Sequence, residues 1–578
     1  SPAPDRQPTA AGASRPPVGK TIVIGMTQYP DTLFGIESQS SATPQVLAAV
    51  QPPCITYLSY EYQPVCFASV PSFENGGVVA RNVTVDSSYR GNAVINGELV
   101  TDTASLTQPV ELEQLVVTWT LIDGLAWEDG VPVTARDFTF AAALYAHPDV
   151  QNASRYLLER TETYEAPDAK TLVWTGLPGY RDDSAFLNFQ GPEPEHVLSE
   201  MEPGKIGVRG YANKPLAYGP YKVVDNVPQE STTLVANERY WRAGEGLPKV
   251  ENIVFKYLTS ERQAIQLLRD GEIDVLGSVD MTADSIPELE ILEEDGVARV
   301  QYVPSPAWEH LDFMVDPGEG GVTRFGDARV RRAVAYAIDR QQIIGTVLRG
   351  KTVVLNSFVP RGHWAYPPSG AGLETYEFDP DKAKALLAEA GWSPGADGIL
   401  AKDGDRFMVS LDTASRDQAR QAAALLIQAD LKAVGIDVTL NSLPGAEMLF
   451  KREWDGALAG RHFDLALYPW LSDGEPPTAL YRCDQIPSPE DSYAGQNHTG
   501  WCDADYDALA LAAEAEPDRA KRLLLLIEAQ KIWNAELPSL PLYQRLIIGA
   551  HRVEVTGLRL DPTSAADSWN IETWDVSR

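Results

Sequence analysis

No run of apolar residues in this chain approaches the roughly 18 that a helix needs to cross a bilayer, so a membrane-spanning helix is excluded. Cysteine is scarce, with four in 578 residues, and none stands in the CxxC spacing of a zinc or redox site. The four fall into local couples, Cys54 with Cys66 and Cys483 with Cys502. Two short-loop disulfides, suited to an extracytoplasmic protein, and four buried thiols both remain open at this point. Histidine numbers only seven, with no paired spacing, which argues against direct metal ligation. Cations are outnumbered, 48 Lys and Arg against 81 Asp and Glu, for a formal charge of −33. Phosphate neutralisation needs clusters of Lys and Arg, so the balance argues against a nucleic-acid partner and an anionic membrane surface. Neither a GxSxG elbow nor an HExxH helix occurs, and no cofactor motif is present. Glu128 and Asp129 are an acid pair, but neighbours on a turn point apart, which suits glycosidase chemistry poorly.

What is present is globular: 44% hydrophobic and 22% charged residues. A chain of this length exceeds one ordinary core, so two or three domains are expected. Residues 1–19 are rich in Pro, Ala and Ser and read as a flexible tether. Lys20 to Gly25 reads as an edge or first strand, and residues 46–110 as loop-rich. Val116 to Leu121 is a strand that meets an Asp123-Gly124 turn, followed by a helix capped by Thr134 with Asp137 as its capping-box acid. Gly219-Pro220 forces a turn, and Asn237 to Trp241 follows the next strand. Arg262 to Asp270 is an amphipathic helix stopped by Gly271, then a strand through Ile273 and Val275. Asp327 and Asp339 each cap a short helix, with Arg329, Arg331 and Arg332 read as surface charges. Asp379-Pro380 opens another helix. Met408 to Leu411, a helix from about Asp417 to Val434 stopped by Gly435, and Ile436 to Leu440 form a strand–helix–strand unit. Phe463, Leu465 and Leu467 alternate with Asp464, Ala466 and Tyr468 as a half-buried strand that ends at Pro469-Trp470. Asp473-Gly474 beyond it is either a plain turn or a carboxylate beside an indole, a seat for a cationic group.

In their order and spacing these motifs resemble the family-5 extracytoplasmic solute-binding proteins, the peptide and nickel receptors of bacterial ABC importers. The resemblance is carried by Trp127 to Phe138, Pro215 to Tyr221, Asn237 to Trp241, Gly271 to Val275, Asp327 to Arg340, Asp379 to Trp392, Gly435 to Val438 and Leu537 to Tyr543. Tyr218 departs from the family's usual small polar residue, and residues 46–110 depart from its common text. The resemblance implies an α/β fold of the periplasmic-binding-protein type, two lobes of mixed sheet with flanking helices joined by a hinge, plus an inserted domain. Lobe I is then residues 20–45, 185–305 and 544–578, the inserted domain II is 46–184, and lobe III is 306–543. The hinge falls near Pro304 to Asp312 and Leu540 to Arg545.

The same resemblance implies a binding protein and not an enzyme, with no cofactor. It would be a monomer that captures a peptide between its lobes and hands it to a membrane ABC permease. It would work outside the cytoplasm, lipid-anchored through an N-terminal segment already removed. It assigns Asp473 to the peptide's α-ammonium, beside Trp470. Tyr218, Trp308 and Trp364 are the further aromatic candidates for cleft walls. Leu467 stands where some oligopeptide receptors carry an arginine, which leaves Arg416, Arg420 or Arg461 as candidate partners for a carboxylate, Arg416 foremost. The rival readings are the same scaffold binding an oligosaccharide or other solute, and a secreted hydrolase.

Overall fold

The computed structural model describes residues 19–151, 155–182, 184–207, 210–278, 281–318, 321–414, 417–445, 448, 451–472, 474–516 and 518–577. The segment read as an edge or first strand is interior. Thr21–Met26 pairs in parallel with Asn252–Tyr257 on one side and Val275–Leu276 on the other, with Ile22 and Ile24 buried. These belong to one ten-stranded mixed sheet, which runs Tyr221–Val227, Ser231–Ala236, Asn252–Tyr257, Thr21–Met26, Val275–Leu276, Ser539–Arg552, Ala298–Phe313, Leu465–Leu471, Met408–Ala414, Asp437–Leu443. The first five strands make one lobe and the last three the other.

Two long antiparallel strands, Ala298–Phe313 and Ser539–Arg552, pass through both lobes. Their pairing is regular from Ala298 opposite Arg552 to Pro304 opposite Leu546, and it resumes with Trp308 opposite Gln544. Between those points Ser305, Pro306 and Ala307 face Arg545 alone, an irregularity that bends the strand. This break lies where the sequence puts the hinge.

In the second lobe the expected strand–helix–strand unit is present. Met408–Ala414 and Asp437–Leu443 pair in parallel across the helix Gln418–Ala433. Asp417 caps that helix by accepting from the Arg420 amide, and Gly435 leaves it at φ +90°. Asp327, Asp339 and Asp379 cap the helices Ala328–Ala337, Arg340–Val347 and Pro380–Glu389, each carboxylate accepting a first-turn N–H. In the other lobe Gly271 ends the helix Glu261–Asp270 in the left-handed region, at φ +76°.

A separate antiparallel sheet of Val78–Val85, Val110–Thr120, Thr171–Gly176 and Thr161–Glu165 has its own core around Trp119, Trp127, Phe138 and Trp174. The helix Ala135–Ala146 beside it carries the expected capping box of Thr134 and Asp137. Residues 46–110, read as loop-rich, hold several short strands. Among them is the hairpin Ile55–Leu58 with Glu61–Pro64, tied at its base by the Cys54–Cys66 disulfide. Cys483 and Cys502 form the second bridge.

One reading is corrected inside the second lobe. Arg331 is 1% exposed rather than a surface charge. Its guanidinium donates to the carbonyls of Phe325, Gly326, Glu536 and Leu537, so it ties the Ala328–Ala337 helix to the turn before the second long strand. Carbonyl oxygens at helix ends and turns lack partners of their own, and the five donors of arginine can gather several of them.

Candidate functional site

The register of the sheet decides which side chains can meet. Trp308 stands directly opposite Trp470, and Glu309 opposite both Pro469 and Tyr543. Residues opposite one another share a face and successive residues alternate, so Trp308 and Trp470 project to one side and Glu309 and Tyr543 to the other. The first side is covered by Phe358, Trp501, Trp533 and the helices Ala504–Ala515 and Arg519–Glu536. The second carries a cavity.

That cavity, of about 760 Å³, lies between the lobes. One wall is Met281, Thr282, Ala283 and Asp284, with Leu546 and Ile548 of the second long strand. The facing wall is Leu348, Ala414, Pro444, Gly445 and the first turn of the helix Gln418–Ala433. The hinge strands close the floor with Glu309, Tyr543 and Arg545. Its size falls in the range of about 300 to 1,000 Å³ common to small-molecule sites.

Four charges organise the floor. Arg420 grips Glu309 with two parallel bonds, Nε to Oε2 at 3.0 Å and Nη2 to Oε1 at 2.9 Å. The two side chains are only 5% and 2% exposed. Asp417 stands 3.3 Å from Arg420 Nη2, and Arg545 reaches Glu309 at 3.4 Å and Asp417 at 3.3 Å. Two guanidiniums thus balance two carboxylates, which is what lets ions persist away from water. Burial alone would lower the affinity of Arg420 for its proton, but Glu309 beside it holds that affinity above the ordinary value. Burial pushes the Tyr543 hydroxyl well above its ordinary range, and the carboxylates of Glu309 and Asp417 push it the same way, so Tyr543 enters the cavity wall as a neutral phenol.

The residues singled out from sequence do not gather here. Trp308 is fully enclosed, its Nε1 donating to Ser472 Oγ at 3.0 Å, which donates in turn to the Phe358 carbonyl. Tyr218 is 4% exposed in the core beside the separate four-stranded sheet, edge-on to Trp127, with its hydroxyl donating to the Pro52 carbonyl at 2.6 Å. Both are packing residues in this conformation, and neither offers a wall to a solute. Trp470 and Trp364 are half-buried on the opposite sheet face from the cavity. Trp364 Nε1 donates to the Gly474 carbonyl at 3.1 Å, and the guanidiniums of Arg519 and Arg522 lie 4.8 and 5.0 Å from its ring centre. The hairpin of Ile55–Leu58 and Glu61–Pro64 reaches this corner too. Glu61 pairs with both terminal nitrogens of Arg519, and Tyr60 meets His363 edge-on at 5.2 Å. Asp473 and Arg416 lie outside the described residues. Arg461 donates to the Asp316 carbonyl.

Arg420, named from sequence as a candidate partner for a guest's carboxylate, is committed to Glu309 in near-complete burial. The cavity residues missed from sequence were Glu309, Asp417, Tyr543 and Arg545. Glu309 between Trp308 and His310 was the available signal, because a carboxylate in a buried strand needs a cation or hydrogen-bond donors to meet it. Among the described residues, no group of three or more His, Cys, Asp or Glu is arranged to hold a metal ion.

Comparison with known proteins agrees with this architecture. Residues 99–485 match the family model described as bacterial extracellular solute-binding proteins, family 5, middle. The di/tripeptide-binding protein 2 of Pseudomonas aeruginosa strain UCBPP-PA14 is 28% identical over 388 residues, which span 64% of this chain and 64% of that protein. The oligopeptide-binding protein AppA of Bacillus subtilis strain 168 is 26% identical over 475 residues, 79% of this chain and 80% of that one. The solved structure of that AppA in complex with a nonapeptide superposes with a TM-score of 0.60 at 20% identity, covering 97% of this chain and 99% of that one. At that identity the likeness speaks for the fold.

Proposed function

The chain belongs to the family-5 bacterial extracellular solute-binding proteins, and from that premise we propose that it captures a peptide between its lobes and delivers it intact to a membrane ABC permease. The observation that carries this reading is the cavity itself, lined from both lobes and floored by the strands that join them. A site split in this way is complete only when the lobes are together. A guest that touches both walls therefore favours the closed arrangement by its differential affinity, and the permease reads the resulting shape. No bond in the guest has to change.

An extended peptide can add its backbone to strand edges at the cleft, a recognition mode indifferent to side-chain identity, with pockets supplying preference. The relatives named above as di/tripeptide- and oligopeptide-binding proteins support this guest class. Asp473, one residue beyond the buried Ser472 at the end of the Leu465–Leu471 strand, is the residue we assign to the peptide's α-ammonium, following the family resemblance. A micromolar dissociation constant, about −8 kcal/mol, is enough for a receptor that must release its guest. The protein works outside the cytoplasm as a monomer.

The test is a thermal-shift screen of short peptides against oligosaccharides. A ligand that binds only the folded form raises the melting temperature, by linkage. Peptides should raise it and sugars should not; a shift with sugars alone would replace the guest class. Cleavage products in either series would point to the hydrolase.

A further inference from the structure

We infer that the second lobe carries a binding site of its own for a free α-amino acid, seated on Asn356 and Arg361 and separate from the inter-lobe cavity. This goes beyond peptide capture, because the two cavities share no lining residue.

The site is a smaller cavity of about 250 Å³, lined by Asn356, Arg361, Tyr366, Ser369, Leu373 and Thr375 among others. A water takes about 30 Å³ in the liquid, so this volume exceeds what one bridging water fills. Asn356 is only 7% exposed, and its Oδ1 accepts no hydrogen bond from any described residue. Leaving a buried acceptor unpaired is costly, and a donor arriving from outside the chain removes that cost. Arg361 is exposed, and among the described residues its guanidinium makes no hydrogen bond or ion pair.

Buried groups hold the walls in place. Asn534 donates from Nδ2 to the Asn356 carbonyl at 2.9 Å, and its Oδ1 accepts the Glu374 N–H at 2.8 Å. The buried Arg340 donates to the carbonyls of Leu355, Thr375 and Tyr376. Residues 355–356 are thus tied twice to residues 374–376. The Arg361 N–H donates to Oε1 of the buried Gln544 at 3.1 Å, so its guanidinium springs from a fixed point. A binding site keeps its geometry through supports of this kind.

The polar groups select the guest. Asn356 Oδ1 takes a donor, and the Arg361 guanidinium takes an anion, with two parallel bonds in the case of a carboxylate. Tyr366, Ser369 and Thr375 add hydroxyls that can serve either way. An α-amino acid carries both complements on one small body, its ammonium toward Asn356 and its carboxylate toward Arg361. Its neutrality as a zwitterion matters, because the chain carries a formal charge of −33 and repels a plain anion.

The experiment dialyses the full chain to equilibrium against the pooled standard amino acids and identifies the retained species by mass spectrometry. That amino acid is then compared in calorimetry with its amide and with the α-hydroxy acid of the same side chain. Loss of either charge should weaken binding about tenfold or more. Arg361→Gln should weaken the free amino acid by a similar factor with an unchanged melting temperature, while Arg361→Lys keeps part of the affinity. Asn356→Leu removes the unpaired acceptor, so binding should be lost while the melting temperature holds or rises. Retention of no amino acid, equal binding of the amide or the hydroxy acid, or full affinity in Arg361→Gln would overturn the inference and leave the peptide reading standing. A melting temperature that falls in Asn356→Leu with binding intact would overturn it as well.

Discussion

Replacing Arg420 by Gln should be among the most damaging single changes in the second lobe. The side chain is 5% exposed and supplies Glu309, 2% exposed, with both of its short bonds. Removing one partner of a buried ion pair typically costs about 3 to 5 kcal/mol, because the remaining charge keeps its desolvation penalty and loses its compensation. Here Arg545, 3.4 Å from Glu309, stays behind as a partial substitute, which places the expected loss near the lower end, at about 3 kcal/mol. Glutamine can still accept the neighbouring helix geometry, since the capping bond from the Arg420 backbone N–H to Asp417 does not involve the side chain. Equilibrium urea denaturation followed by tryptophan fluorescence reads the loss. The paired change of Arg420→Met with Glu309→Leu removes both charges and should recover most of it, giving a strong coupling in a double-mutant cycle. A single-variant cost below about 1 kcal/mol, the level of an exposed ion pair, would refute the reasoning, as would a paired variant no better than the single one.

Three further expectations follow from particular contacts. Glu193 is buried and accepts from the hydroxyls of Tyr145 and Tyr211, each at 2.8 Å, and burial raises its carboxyl to about 7. Between its ordinary range and that value the folded chain holds more protons there than the unfolded one, so this contribution is full at low pH and is lost as pH rises through about 7. The stability difference between the natural chain and Glu193→Gln, measured by urea titration from pH 5 to 8, should therefore fall by up to about 3 kcal/mol as pH rises; a flat difference contradicts the raised value. Cys483→Ser with Cys502→Ser opens a loop of sequence separation 19 and should lower stability by about 3 kcal/mol, read in the same titration. Asp473→Asn should weaken peptide binding by about tenfold or more with an almost unchanged melting temperature, and unchanged affinity in a calorimetric titration would remove the assigned role.

Much of the scaffold was legible because it is written in local chemistry. The caps at Asp327, Asp339, Asp379 and Asp417, the capping box of Thr134 and Asp137, and the stops at Gly271 and Gly435 are all short-range signals, and each marks an element end in the structure. The family resemblance put the hinge near Pro304 to Asp312 and Leu540 to Arg545, and the two long strands change register between Pro304 and Trp308. The cavity was not legible, for a physical reason. Its charges come from residues 309, 417, 420 and 545, on two strands and one helix whose meeting is set by long-range pairing. Aromatics drew attention instead, yet Trp308 and Tyr218 spend their surface on packing, and alternation along the strand turns Trp308 away from Glu309. Arg331 misled in the same way, since a buried arginine bound to carbonyls looks in sequence like any charge on a helix.

Native mass spectrometry of the full chain mixed with a pool of short peptides tests the central claim most directly. One peptide bound per chain, released on gentle activation with its mass unchanged, is the result expected of a receptor whose lobes shut over a guest. No peptide adduct at any concentration, or peptides recovered as fragments, would contradict it.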